Sequence, residues 1–232
     1  MRKSRTFCTS PDNQETVSGL CYLAFQLTFL PGLLTWGNQQ LSQSLNSAEL
    51  NFVYYLVNFL AMLLIFHHFL GSNASHALHH PIQLVQSVIL GLAAYYACFY
   101  LIEYVADFLL PAYSNYNDEA ISAMSRGNYF LMFIGTVILV PPVEECFYRG
   151  LVFRNLYGKS PVAAYIISIL AFASIHIIGY IGQYSAMELL VAVLQYLPAG
   201  LWLAWSYTKS GTIFAPIFIH AAVNFLTIRN LR

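Results

Sequence analysis

Apolar runs of about twenty residues, separated by short polar breaks, recur along this chain and leave it few folds to choose from. A helix of that length crosses the ~30 Å hydrocarbon core of a bilayer, where only helices and closed barrels satisfy all their backbone hydrogen bonds. Seven such segments are expected, at approximately Val17 to Trp36, Leu50 to Leu70, Ile82 to Leu110, Tyr129 to Leu151, Val162 to Ile178, Met187 to Tyr207 and Thr212 to Ile228. Composition agrees. Of 232 residues, 58% are hydrophobic and 9% charged, against about 25% charged in a soluble domain. The expected fold is therefore an all-α, polytopic membrane bundle of about seven helices, six at the fewest and eight at the most. The first segment is interrupted by Gln26, Thr28 and Pro31. The third is longer than one crossing needs and ends with Glu103 and Asp107, so it is expected to tilt or to finish along the interface.

Three stretches follow: residues 1–16 as a flexible, solvated arm, 17–128 as N-terminal transmembrane helices, and 129–232 as the part that carries the motifs described next. Arg2, Lys3 and Arg5 place the N-terminus on the cytoplasmic side, and Arg154, Lys159 and Lys209 agree, whereas Arg229 and Arg232 fall outside. Zero net charge and no nucleic-acid-binding motif exclude a nucleic-acid partner. Cys8, Cys21, Cys98 and Cys146 lack any metal-type or disulfide spacing. His67, His68, His76, His79 and His80 form the densest histidine group; it reads as a mobile, titratable cytoplasmic loop rather than a metal site. Tyr96, Tyr100 and Tyr104 form a stripe suited to packing or headgroup anchoring.

Polar residues inside apolar segments carry the functional signal, because an ionisable group at membrane depth costs about 3 kcal/mol on insertion scales. Glu144, Glu145 and Arg149 stand in PPVEECFYRG, His176 ends FASIH, and His220 and Asn224 open and close HAAVN. Glu145 and Arg149 are four apart and share a helical face, while Glu144 points about 100° away. One carboxylate can thus pair with arginine and leave the other free to take a proton. Pro141 and Pro142 predict a kink or restart beside a wet cavity. A glutamate and a histidine on separate helices can activate a water, with a second histidine and an asparagine stabilising the oxyanion. Alternatively, Glu144, His176 and His220 are a ligand set for a catalytic Zn2+. Both readings give hydrolysis.

EECFYR, FASIH and HAAVN match EExxxR, FxxxH and HxxxN in the order found in the CPBP family. The chain resembles these intramembrane proteases over roughly Tyr129 to Ile228; they include bacteriocin-processing and Abi proteins and are similar to the type II CAAX prenyl endopeptidase. The resemblance implies an endopeptidase with its active site in an intramembrane cavity open toward the cytosol, in a multi-pass protein of the plasma membrane. Its substrates would be proteins or peptides at the bilayer, CAAX-like ones among them. Glu144 would be the general base, His176 would hold the same water, His220 and Asn224 would stabilise the oxyanion, and Glu145 and Arg149 would support the first helix. The family includes metal-dependent and glutamate-dependent descriptions, and these residues suit both. HExxH and GxSxG are absent. A non-catalytic immunity or scaffold protein, held together by the same polar residues, is the alternative from another class; a transporter is disfavoured, since no paired inverted halves are visible.

Overall fold

A computed structural model describes residues 6–111 and 113–230, which form ten helices and, among the described residues, no β-strand. They are α1 (Asn13–Thr28), α2 (Leu30–Gln39), α3 (Ser47–Ile65), α4 (His67–His79), α5 (Pro81–Leu109), α6 (Tyr116–Gly127), α7 (Tyr129–Tyr157), α8 (Pro161–Ile177), α9 (Ala186–Ser210) and α10 (Phe214–Asn230). Five are long and apolar enough to cross a membrane: α3, α5, α7, α8 with its following turn, and α9. A sixth crossing exists if α1 and α2, bent by 50°, count as one. The expected all-α membrane bundle is therefore found, with α10 as a shorter apolar helix completing it.

Two of the seven expected segments are broken, each at a phenylalanine. The Val17 to Trp36 segment bends at Phe29, because Pro31 in the first turn of α2 has no N–H to continue the α1 ladder. The Leu50 to Leu70 segment ends at Phe66, whose side chain is fully buried and whose φ of −103° and ψ of 25° leave the helical region. The chain then turns into α4. The histidines therefore stand on and beside a helix rather than in the mobile loop expected of them. His79 and His80 donate from Nδ1 to carbonyls four residues back.

The described part of the N-terminal arm is packed rather than solvated. Phe7 is buried in the main core, the Cys8 N–H donates to Gly211 O at 2.9 Å, and Arg154 Nε donates to Thr9 O at 3.2 Å. α1 begins within the stretch expected to be flexible, with Asp12 and Glu15 forming a capping box. Buried Glu15 also accepts from the Phe69 N–H, tying α1 to α4. Arg2, Lys3 and Arg5 lie outside the described residues.

The helices alternate in direction, which gives the bundle two distinct ends. One end gathers Thr6–Asp12, α4, Arg154 with Lys159, and the Ser210–Gly211 turn; His76 Nε2 lies 3.3 Å from Ser210 O and Gln83 donates to Lys209 O. The other end gathers the α5–α6 and α8–α9 connections. There Asn115 donates to Gln195, Tyr116 donates to Glu188, and Tyr116 stacks on Tyr184. The principal core, with Phe66, Phe69, Phe147, Phe153, Tyr207 and Ile213, fills the half nearest the arm. The other half holds a cavity. Because α5 packs along both α9 and α10, the division at residue 128 separates motifs and not bodies.

Candidate active site

α7 carries both glutamates through an unusual stretch of helix. Pro141 and Pro142 neither restart nor end it, contrary to the simplest expectation from a proline pair; the helix continues and loosens to i→i−5 hydrogen bonding on both sides, at Ile134–Leu139 and Glu145–Phe153. Such π turns insert a residue into the helical period and are frequent at functional sites. The cause is visible in one carbonyl. The Val140 N–H bonds Gly135 O, so Thr136 O would next look to residue 141, a proline without N–H. Asn224 Nδ2 from α10 fills that vacancy, donating to Thr136 O at 2.8 Å.

Glu145 and Arg149 are sealed from solvent. Arg149 Nη1 donates to Glu145 Oε1 at 3.1 Å, Nη2 donates to Ala199 O of α9 at 3.1 Å, and the guanidinium lies 4.3 Å over the Phe172 ring. Glu145 Oε1 also stands 2.9 Å from His220 Nδ1, which as its donor must carry the proton. His220 Nε2 then faces Glu144 Oε2, at 3.9 Å. Glu144 keeps 22% of its side-chain surface accessible. Adjacent carboxylates thus differ sharply: one is neutralised and buried, the other open.

His176 is oriented in a parallel way. Its Nδ1 donates to Phe172 O one turn earlier, at 2.8 Å, and its ring stacks on Tyr196 at 4.3 Å and 26°. Nε2 is left with its lone pair. Phe172 is the hub of this arrangement, contacting the rings of His176 and His220 as well as the Arg149 guanidinium. That contact explains why a phenylalanine one turn before the histidine belongs with the other two motifs.

Glu144, His176, His220 and Asn224 line one cavity of about 730 Å³ together with Tyr54, Tyr55 and Tyr196. A smaller space of about 60 Å³, bounded by Gln26, Val143 and Tyr148, reaches Glu144 from another side. The cavity expected beside Glu144 is present. Its polar mouth, at Ser114, Asn115, Asn117 and Asp118, lies at the end of the bundle remote from the N-terminal arm. Helices α5, α8 and α9 each run from one end to the other between them. Among the described residues, no three His, Cys, Asp or Glu side chains converge closely enough to hold a metal ion. Glu144, His176 and His220 share a cavity without forming the closed trio that Zn2+ needs.

Sequence reasoning did not find Tyr196, Thr136, Tyr54 or Tyr55. The adjacent polar pair Gln195–Tyr196 inside an apolar segment was the available signal for the first. The stripe of Tyr96, Tyr100 and Tyr104 is set on the outer side, with Tyr100 and Tyr104 well exposed, whereas Tyr95 faces the cavity.

No curated protein and no solved structure matches the chain. Through residues 126–226, the segment that carries Glu144, Glu145, Arg149, His176, His220 and Asn224, the chain matches the family of type II CAAX prenyl endopeptidase Rce1-like proteins, as the three motifs led one to expect.

Proposed function

We propose that this integral membrane protein is an intramembrane endopeptidase in which Glu144 is the general base. The observation that carries the reading is the division of labour between neighbours: Arg149 and His220 occupy Glu145, while Glu144 faces the cavity without a hydrogen-bond partner on Oε2. A water placed between Glu144 and His176 Nε2 loses a proton to the carboxylate and attacks the peptide carbonyl. The second N–H of Asn224, whose first is fixed on Thr136 O, donates to the oxyanion. His220 Nε2 adds a donor there when its ring carries both protons. Glu144 then passes its proton to the leaving amine, and the peptide bond breaks. Peptides or proteins at the membrane, including CAAX-like ones, are the substrate class, and the plasma membrane is the proposed location.

A non-catalytic role is the second reading, favoured by the same buried Glu145–Arg149–Ala199 connection that ties α7 to α9. Cleavage of CAAX-like and leader-like peptides by detergent-purified wild type and Glu144→Gln separates the two. The proposal expects cleavage by wild type alone, with both proteins melting at the same temperature. Undiminished cleavage by Glu144→Gln would remove Glu144 from the mechanism, and a large loss of stability would favour the structural role.

A further inference from the structure

His176 is held from two helices. Its Nδ1–H donates to Phe172 O, and Phe172 lies one turn earlier on the same helix, α8, so these contacts move with the histidine. Tyr196 belongs to α9, and its ring lies nearly parallel to the imidazole, at 4.3 Å and 26°. The phenol ring fills the space through which the imidazole would swing. It thereby fixes where Nε2 stands in the cavity.

Tyr196 is in turn tied to the polar end of that cavity. Its hydroxyl donates to Asn115 Oδ1 at 3.3 Å, and the same oxygen caps α6 by accepting from the Asn117 N–H at 3.0 Å and the Asp118 N–H at 3.3 Å. Asn115 Nδ2 donates to Gln195 Oε1, and Gln195 Nε2 donates to Glu103 Oε1 of α5, each at 2.8 Å. A leucine would fill much of the same space, but an aromatic ring is needed to stack on the imidazole and a hydroxyl to reach Asn115. We propose that Tyr196 is a positioning residue for His176, itself held by Asn115, so that the start of α6 and the orientation of the imidazole are set together. The consequence for catalysis rests on the endopeptidase reading; the hold of Tyr196 on the imidazole does not.

Tyr196→Leu, Tyr196→Phe and Asn115→Ala test this in detergent-purified protein isotopically labelled at histidine Cε1. The chain has seven histidines, and the His176 signal is the one lost in His176→Asn. A proton over the face of an aromatic ring is shielded, so the His176 Hε1 resonance is expected to move downfield in Tyr196→Leu and to stay in place in Tyr196→Phe, which keeps the ring. In peptide cleavage, Tyr196→Leu should lower kcat about 100-fold with KM little changed, the loss that ~1 Å of misplacement causes. Tyr196→Phe, which loses one hydrogen bond, should stay within about tenfold of wild type, and Asn115→Ala should fall between the two. An unmoved His176 resonance in Tyr196→Leu overturns the proposal. So does a raised KM at unchanged kcat, the signature of a wall that only touches substrate, and so does an equal loss in Tyr196→Phe and Tyr196→Leu. Asn115→Ala indistinguishable from wild type would remove Asn115 from it. Tyr196→Met replaces Tyr196→Leu if that variant fails to fold. If Glu144→Gln proves active, the kinetic part falls with the endopeptidase reading, and the resonance still decides whether Tyr196 holds His176.

Discussion

Glu145 shares Oε1 between Arg149 and His220 in a fully buried site, whereas Glu144, its neighbour in sequence, faces a cavity. Removing one partner of a buried ion pair leaves an uncompensated charge and typically costs 3–5 kcal/mol. Arg149→Ala is therefore expected to destabilise the protein by about that amount, read as a fall in the detergent melting temperature that Glu144→Gln does not share. Asn224 offers a second test, because its amide satisfies a carbonyl that Pro141 leaves without a donor. Asn224→Ala and Asn224→Leu should each lower stability by about 1–3 kcal/mol, since neither side chain can donate there. Equal stability of Asn224→Leu and wild type would show that Thr136 O has another partner. The motif residues were legible in the sequence because polar groups in apolar helices are costly. What each one binds was not, since Thr136 and Ala199 carry no side-chain signal of their role.

At the scale of elements, close approach of α8 and α9 depends on a glycine. A Cβ on Gly200 would stand 3.0 Å from the Cα of Ile169, a backbone atom that cannot swing aside. Gly200→Ala is expected to cost about 1–3 kcal/mol by forcing the helices apart. Gly32→Ala, with nothing within 4 Å of the added methyl, should be neutral or slightly stabilising in the same melting assay. The boundaries of α5, α8 and α9 follow the apolar runs to within a few residues. The breaks at Phe29 and Phe66 do not, because hydropathy registers transfer into lipid and is blind to where a chain must turn to cover a core.

At the scale of the whole molecule, the acidic residues Glu103 and Asp118 line the polar end of the cavity. Burial, and then the nearby Glu103 carboxylate, pushes Asp118 up to about 6. A carboxyl raised in the folded state binds its proton more tightly than in the unfolded chain. Its contribution to stability is thus full below the ordinary carboxylate value of about 4 and is lost as pH rises through about 6. Melting temperature should fall across that window in the wild type, and Asp118→Asn should remove this part of the fall; an unchanged profile would place the titration elsewhere. Sequence by itself determined that the chain lives in lipid, which segments are apolar helices, and which six polar residues form the motifs, because each of these is a local cost of burying charge or backbone. Only the tertiary structure decided which glutamate is free, what Asn224 holds, and at which end the cavity opens. Those depend on contacts between residues tens of positions apart, set by how helices of alternating direction pack.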